Sequence, residues 1–287
     1  MIYLILSILS TSAIFIIFKW LGKLKTNTFL VIVINYLIAG TIGWILEGPG
    51  LIEKALASDW LLETVLLGSC FVGMFYLMAI TTHKAGTSST VVANKMSVVI
   101  PVIAAFFIYN DDVTTLKIVG IVLAMIGIFL VTRNKNIENR WGRNFWLLML
   151  LFIGSGLIDT FIKLIEQRHL GEDDVIAFTS VLFLTAFTMG ILVLMLRWRN
   201  VIQTFRLRKI GLGTLLGTVN FASIYFLVLA LKEGDIQSSV LFPINNIGIV
   251  LTSTILSILL FKEHLSRLKI AGIVVSVLSL IVLMMAV

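Results

Sequence analysis

The chain has 287 residues, of which 59% are hydrophobic and 13% are charged, and its formal net charge is +7. Soluble domains carry about 25% charged residues, so this composition excludes an ordinary soluble fold. The single cysteine, Cys70, excludes an internal disulfide, and the three histidines are scattered along the chain. The sequence has no nucleotide-binding loop and no nucleophile–base pair at a suggestive spacing, so we expect no enzyme, no cofactor and no metal.

Taken in chain order, the apolar residues form ten blocks, each long enough to cross a hydrocarbon layer of about 30 Å as a helix. Helices are expected because an open strand would leave backbone groups unpaired in lipid. The first block lacks a basic n-region and a cleavage site, so we interpret it as a transmembrane helix. All six tryptophans lie near span ends, as an interfacial belt requires. The predicted spans 1 to 10 are residues 2–18, 28–46, 60–82, 88–108, 114–132, 144–165, 175–196, 209–231, 237–260 and 267–287.

The charged residues divide between the two sides of the membrane. The connections that follow the odd-numbered spans hold 16 basic and two acidic residues, whereas the other side holds four basic and twelve acidic residues. The positive-inside rule places the basic side in the cytoplasm and both termini outside. The positive net charge therefore indicates topology, and we expect no binding of nucleic acid.

The two halves of the chain are similar to each other. "LKIVGIV" at Leu116–Val122 recurs as "LKIAGIV" at Leu268–Val274, and "KAGTSSTV" at Lys84–Val91 aligns with "KEGDIQSSV" at Lys232–Val240. Spans 1–5 and 6–10 are therefore predicted to be two copies of one unit, in residues 1–134 and 141–287. Because five is odd, the copies enter the membrane in opposite directions. Such inverted repeats are typical of secondary transporters, with the substrate near the midplane.

Each half carries an acidic residue followed by a glycine-bearing helix, Asp111 with Gly120 and Glu263 with Gly272. With ten spans in two halves, this pattern resembles the EamA-type transporters of the drug/metabolite transporter superfamily, over the whole chain. The resemblance implies a central cavity between the halves, alternating access and, often, export of amino acids or related metabolites. It also implies cytoplasmic termini, whereas the charge distribution of this chain predicts termini outside.

Three charged residues are not assigned to either side of the membrane and remain within the predicted spans: Lys95, Asp159 and Lys163. A charge near the bilayer centre costs at least ~2.5–3.5 kcal/mol, and it indicates a functional role by default. Asp159 is interpreted as a proton-coupling carboxylate, or as the partner of Lys95, of a substrate amine or of Lys163. Lys163, four residues later, either shares in coupling or extends its stem to the interface.

Lys95 lies about eight residues into span 4, roughly 12 Å deep, between Asn94 and Ser97. Pro101 cannot donate a backbone hydrogen bond to the Ser97 carbonyl, and Pro243 has the same effect in span 9. We therefore expect two helices broken at matching places, which is a feature of transporter sites. The alternative for Lys95 is that its side chain extends to the membrane surface.

Polar side chains at mid-membrane depth complete the predicted site. Its substrate-binding residues are Lys95, Asn94, Ser97, Tyr36, Tyr76, Asn220, Tyr225, Asn245 and Asn246, and its coupling residues are Asp159 and Lys163. Tyrosine and asparagine on spans 2, 3 and 8 can also hold helices together. Small residues on spans 5 and 10 favour tight helix packing or a dimer contact, so we exclude these two spans from the site.

The sequence as a whole predicts an all-α membrane protein of the cell's inner membrane, with ten transmembrane helices as two inverted five-helix repeats. Lys95 and Asp159 are expected at heights about 10 Å apart, which a substrate with a carboxylate and an amine could bridge. The predicted function is secondary active transport of small polar, amino-acid-like metabolites by alternating access, driven by protons or by exchange.

Several alternatives remain open at this point. They are efflux of lipophilic cations, transport of anionic metabolites anchored at Lys95, flipping of lipid headgroups, and a scaffold that transports nothing. The first is weakened because span 1 has no carboxylate, and the last because a scaffold has no need of charges at depth. The expected partners are a small-molecule substrate and the lipid bilayer, with the protein as a monomer or a homodimer.

Overall fold

The computed structural model describes residues 1–23, 28–85, 93–108, 114–132, 141–196, 207–233, 236–261 and 267–285. Throughout these residues the chain is helical and contains no strand. The helices, numbered in chain order, are α1 (Ile2–Lys23), α2 (Thr28–Glu47), α3 (Leu51–Leu56), α4 (Leu61–Ala85), α5 (Val99–Ile108), α6 (Thr115–Thr132), α7 (Trp141–His169), α8 (Val175–Leu196), α9 (Leu207–Lys232), α10 (Ser238–Phe261) and α11 (Arg267–Met284). A helical turn at residues 93–96 precedes α5, and a 3₁₀ turn at Glu172–Asp174 precedes α8.

Six helices of the described chain are long and apolar enough to cross a membrane: α2, α4, α7, α8, α9 and α10. Four shorter apolar helices cover Ile2–Phe18, Ala93–Ile108, Thr115–Leu130 and Ile270–Leu283. Large apolar side chains also lie on the outside, as with Phe107, which is 82% exposed. A surface of this kind suits lipid, and helices suit it because their backbone polar groups are bonded within the segment. The protein is thus an all-α, multi-pass membrane protein, as predicted, and the count of ten crossings stays a prediction.

The chain forms two compact units, each made of two separate segments. The first unit comprises Met1–Tyr76 and Phe161–Lys232, and the second comprises Leu77–Thr160 and Glu233–Val287. Each unit therefore takes residues from both predicted repeats. The repeat boundaries, 1–134 and 141–287, describe similarity in sequence and stay a prediction.

In the first unit, α2 lies in close contact with α8 through small residues. A Cβ atom added at Gly43 would fall 2.6 Å from the Ser180 Cβ, so only glycine permits this approach. One turn away, the Ser180 hydroxyl donates a hydrogen bond to the Gly40 carbonyl at 2.8 Å. Small residues of this kind commonly let helices approach closely in a membrane. The hydrophobic effect does not drive helices together there, because lipid tails are as apolar as the side chains.

In the second unit, α6 and α11 pack in the same way. An added Cβ at Gly127 would lie 2.3 Å from the Ser276 hydroxyl oxygen, and one at Gly120 would lie 2.7 Å from the Leu283 side chain. The Ser279 hydroxyl donates to the Gly120 carbonyl at 2.7 Å. These contacts confirm the prediction that the small-residue faces of spans 5 and 10 serve tight helix packing.

Among the tryptophans whose side chains the structure describes, one departs from the predicted interfacial belt; Trp141 and Trp198 lie outside these described side chains. Trp20, Trp44 and Trp146 are exposed, as expected of residues at a lipid–water boundary. Trp60 is 1% exposed and packs edge-on against Phe178 of α8, with ring centroids 6.2 Å apart. The prediction was wrong for Trp60 because the connection that contains α3 packs against α8 and carries the ring into the protein.

Lys54 on α3 ties together two connections of the first unit. Its ammonium lies 2.7 Å from the Glu47 carboxylate, 2.5 Å from the Asp173 carbonyl oxygen and 3.7 Å from the Asp174 carboxylate. Partial burial lowers the pKa of Lys54, but the hydrogen bond and attraction to Glu47, with the further attraction to Asp174 and Asp173, outweigh burial and raise this pKa.

Replacing Lys54 with methionine should lower the melting temperature at neutral pH by about 2 °C or more, because two carboxylates lose their cation. The pKa of Lys54 is raised in the folded state, so its contribution is complete below the unfolded-state pKa of about 10.4. The contribution is lost as the pH rises through the higher folded value. We expect the melting-temperature difference between wild type and Lys54→Met to stay constant from pH 7 to about pH 10 and to shrink above it.

The matched control is Glu53→Gln, on the same short helix and with an exposed side chain. This variant should melt with the wild type at every pH. A gap between wild type and Lys54→Met that persists unchanged at the highest pH would mean that methionine acts through packing and not through lost charge.

Candidate functional site

The second unit contains a group of polar side chains that comes from three segments of the chain. These segments are the turn at residues 93–97, the middle of α7 and the second and third turns of α10. We name this group the polar cluster; it consists of Asn94, Lys95, Ser97, Ser155, Asp159, Asn245 and Asn246. All of its members except Ser155 belong to the predicted site.

The backbone is interrupted at Ser97 and Val98, between the helical turn at 93–96 and α5. Pro101 has no N–H to offer to the Ser97 carbonyl, as predicted. The carbonyl is nevertheless bonded, because the Ile100 N–H donates to it at 2.9 Å. The expectation of a free carbonyl was therefore wrong: the chain tightens to bonds between residues three apart, which replace the missing one.

The matching break predicted in span 9 does not occur. α10 runs as one helix from Ser238 to Phe261, with Pro243 inside it. Proline removes a single backbone bond, and its position in the second turn leaves the start of the helix held by other bonds. Among these, the N–H groups of Val240 and Leu241 both donate to the Gln237 carbonyl at 2.9 Å.

Lys95 is held inside the protein by a residue of α10. Its ammonium donates a hydrogen bond to the Asn246 side-chain oxygen at 3.1 Å, and both side chains are buried. The Asn246 amide nitrogen donates to the Phe242 carbonyl at 3.2 Å, which orients the amide with its oxygen toward Lys95. With its head group bonded in the interior, Lys95 does not extend to the membrane surface.

Asp159 reaches the same cluster through α7. The Asn94 amide nitrogen donates to the Ser155 hydroxyl at 2.8 Å, which joins the 93–96 turn to this helix. Asp159 follows Ser155 by four residues and so lies on the same face of α7, about 6 Å along it. The Asn94–Ser155 hydrogen bond thus joins the segments that carry Asp159 and Lys95, and opposite charges in one buried cluster attract each other.

Hydrogen bonds join the segments that carry the two charges into one cluster, and the expected difference of about 10 Å in their heights stays a prediction. Gly156 lies where two of these segments approach each other. A Cβ added at Gly156 would lie 2.6 Å from the Ile100 Cβ and 2.8 Å from the Ser97 carbonyl oxygen, so α7 passes very close to the start of α5. Counting residues along straight helices could not show this approach.

Asn245 differs from its neighbour in having an unused acceptor. Its side chain is 7% exposed, and its oxygen is buried and accepts no hydrogen bond from the described residues. Most buried polar atoms in proteins have a partner, so this oxygen stands out as available to a donor from elsewhere.

Ser155 is the member that the sequence prediction missed. Ser155 belongs to the stretch "GSGLID", whose small residues let another helix or a ligand approach closely. Its position four residues before Asp159 was the available signal, because residues at this spacing share a helix face.

Lys163 has a different partner from those considered in the sequence. Its ammonium lies 2.6 Å from the Glu166 carboxylate, and both side chains are largely buried. We had placed Glu166 in the connection after span 6, but α7 continues to His169 and includes it. Lys163 lies in the first unit, whereas Asp159 lies in the second. A coupling role for Lys163 stays a prediction.

Four predicted substrate-binding residues also lie in the first unit: Tyr36, Tyr76, Asn220 and Tyr225. Asn220 on α9 donates its amide to the Asn35 side-chain oxygen on α2 at 3.1 Å. Both asparagines are buried, and the Asn35 amide in turn donates to the Ile32 carbonyl at 3.3 Å. This pair joins two helices, as polar residues do in membranes.

The three tyrosines make aromatic contacts within the first unit. Tyr36 is fully buried, and its hydroxyl donates to the Phe71 carbonyl at 3.5 Å. Tyr76 packs edge-on against Phe29, and Tyr225 stacks on Phe221, with centroid distances of 5.8 and 5.7 Å. These are the contacts of helix packing, and substrate binding by these tyrosines stays a prediction.

The fold and the cluster define a multi-pass helical membrane protein that keeps a lysine and an aspartate among buried amides. Among the described residues, no group of three or more His, Cys, Asp or Glu side chains is placed to hold a metal ion. The chemistry available in the cluster is therefore that of paired charges and amide hydrogen bonds.

Comparison with known proteins identifies the class further. Residues 1–133 match the model of the EamA-like transporter family, which confirms the resemblance seen in the sequence and indicates a membrane transporter of the drug/metabolite type. An uncharacterized protein of Haemophilus influenzae is 28% identical over 283 residues, which make up 95% of this chain and 94% of that protein. A solved crystal structure has the same fold, with a TM-score of 0.78 at 11% identity, over 99% of this chain and 96% of that one.

Gly156→Ala tests the close approach that assembles the polar cluster. The new methyl group would meet Ile100 and the Ser97 carbonyl, and relief of such crowding costs about 1–3 kcal/mol. We expect a melting temperature several degrees lower in detergent. The matched control is Gly73→Ala on α4, where an added Cβ has nothing within 4 Å, and it should leave the melting temperature unchanged or slightly raised. Equal melting of the two variants would show that α7 can move away from α5 freely.

Proposed function

We propose that this protein is a secondary active transporter of small polar, amino-acid-like metabolites in the inner membrane. The observation that carries the proposal is the pair of opposite charges, Lys95 and Asp159, in one cluster of a membrane-embedded unit. Charges at this depth are costly to insert, and a protein that only needed stable packing would gain from apolar residues at both positions. The family match supports transport by alternating access and does not point to an enzyme.

In this proposal the Lys95 ammonium binds the substrate carboxylate. Its present partner is the neutral oxygen of Asn246, and a carboxylate is a stronger acceptor for an ammonium than an amide is. Substrate can therefore replace Asn246 without leaving the lysine unpaired. Because the substrate carboxylate replaces the Asn246 oxygen, the Lys95 ammonium keeps an acceptor during binding and release. An unpaired ammonium in the protein interior would cost too much free energy.

Asp159 has the complementary role. Its carboxylate can accept the substrate ammonium, or it can take up a proton when the substrate leaves, and either event couples its charge to transport. Asp159 can therefore support transport driven by a proton gradient or by exchange of substrates. Asn94 and Ser155 position Asp159 relative to Lys95, because their hydrogen bond joins the two segments that carry the charges.

Efflux of lipophilic cations and flipping of lipid headgroups are the alternatives. A cation would find Asp159 but would also meet the positive charge of Lys95, so this pairing favours a zwitterion over a simple cation. We propose the small-molecule substrate and the bilayer as the partners, with the protein acting as a monomer or a homodimer and without nucleic acid.

Uptake into proteoliposomes tests the proposal. With a pool of radiolabelled amino acids, Lys95→Met should reduce kcat/KM roughly ten- to a hundredfold, the loss expected for one charge-assisted hydrogen bond. Asp159→Asn should abolish uptake driven by a pH gradient while it preserves part of the exchange between internal and external substrate, if Asp159 carries the coupling proton. The control is Ser253→Ala on α10, whose hydroxyl bonds to the Val250 carbonyl of its own helix.

Two results would contradict the proposal. One is wild-type protein that shows neither uptake nor exchange of any amino acid. The other is transport of a lipophilic cation that requires Asp159 and is indifferent to Lys95→Met, which would establish cation efflux in its place.

A further inference from the structure

The mechanism proposed above gives no role to the Asn245 side chain. Its side-chain oxygen is buried in the second unit and accepts no hydrogen bond from the described residues. The cost of such an unsatisfied acceptor is comparable to a lost hydrogen bond, and an apolar residue of the same size would avoid it. The chain thus carries a destabilising feature at a place where leucine would pack.

The position of this oxygen narrows what could use it. Asn245 directly precedes Asn246, and their Cα atoms are about 3.8 Å apart. Asn246 bonds the Lys95 ammonium, so the unused acceptor belongs to the sequence neighbour of the residue that holds this ammonium. The Lys95 ammonium donates a hydrogen bond to the Asn246 side-chain oxygen, and the Asn246 amide nitrogen donates to the Phe242 carbonyl. These groups therefore already have partners. The Asn245 side-chain oxygen remains as a neutral acceptor for a ligand's N–H or O–H group.

We propose that the Asn245 side-chain oxygen accepts a hydrogen bond from the substrate's ammonium and makes the site specific for 2-amino acids over their 2-oxo analogues. This inference rests on the proposed function and names the feature of the substrate that the site recognises. An ammonium carries three N–H donors, so a contact with Asp159 leaves others for Asn245. Sites that hydrogen-bond a substrate N–H discriminate strongly against the analogue that lacks it.

The same proposal predicts a conflict between stability and recognition at one residue. Asn245→Leu removes the unused acceptor at similar volume, so the ligand-free protein should melt at a higher temperature than the wild type. The variant should also show a weaker preference for the amine, of which the contact with Asp159 retains a part. A residue kept for packing alone would show no such opposition.

The experiment measures binding to purified protein in nanodiscs by thermal shift, with two probes of equal shape, an amino acid and its 2-oxo acid. In the wild type the amino acid should bind roughly ten- to a hundredfold more tightly, the value of a hydrogen bond to a charged donor. In Asn245→Leu the two dissociation constants should approach each other, chiefly through weaker binding of the amino acid. Asn245→Asp, which keeps an acceptor oxygen, should retain the preference.

Two variants serve as controls. Thr254→Val, on α10 and with a hydroxyl bonded within its own helix, should leave the preference unchanged. Asn220→Leu, at an equally buried but bonded amide, should lower the ligand-free melting temperature, since Asn35 loses its donor.

The outcomes separate this inference from the proposed function. If neither probe of any amino-acid pair binds the wild type, the proposed substrate class is wrong and this inference fails with it. If the amino acids bind and Asn245→Leu keeps the wild-type preference, only the role of Asn245 is overturned. A lower melting temperature for Asn245→Leu would likewise overturn it, because the oxygen would then already have a partner.

Discussion

A polar group within the hydrocarbon layer costs free energy unless it finds a partner inside the protein, and much of the structure follows from this constraint. The backbone meets it by forming helices, whose N–H and C=O groups are bonded along the same segment. Side chains meet it case by case. The Ser180 and Ser279 hydroxyls bond to backbone carbonyls of neighbouring helices, and Asn35 pairs with Asn220. Lys95 is the most demanding group, because an ammonium cannot be left unpaired there, and Asn246 and Asp159 answer it.

The constraint also explains why the cluster suits a transporter. A permanent partner of full opposite charge would hold Lys95 tightly and leave no reason to bind a ligand. A neutral amide keeps the lysine satisfied but can be exchanged for a better acceptor. The Asp159 carboxylate balances the charge of the cluster and leaves Lys95 able to bind a ligand. The arrangement is therefore stable without substrate and still able to gain from binding one.

Much of the fold could be predicted from the sequence, because lipid leaves so few choices of structure. The helical class, the residues on α6 and α11 that pack closely, and the polar stretch around Lys95 all follow from composition and spacing. The backbone conformation around the two prolines could not be predicted from composition and spacing. Pro101 and Pro243 have the same chemistry, yet the chain is interrupted before the first and continuous through the second.

The cluster itself was only partly predictable. Residue counting gave the expected depths of Lys95 and Asp159 but not the close packing of their segments, because that depends on how closely Gly156 lets α7 approach Ser97 and Ile100. The partner of Lys163 was missed because the end of α7 was placed too early. Trp60 was misplaced for a related reason: a connection that folds back against α8 cannot be told from one that faces lipid by sequence alone.

The two units alternate along the chain, in the order first, second, first, second. This order has a consequence for biosynthesis. When the first 160 residues have left the ribosome, each unit has received only one of its two segments. The first unit is complete only at Lys232, and the second only when the last helix has been inserted. The polar cluster shares this delay, since Lys95 must remain in the membrane until Asn246 has been made. During that interval Lys95 lacks its amide partner, but Asp159 has already been made, so the charge of the lysine is balanced before this hydrogen bond can form.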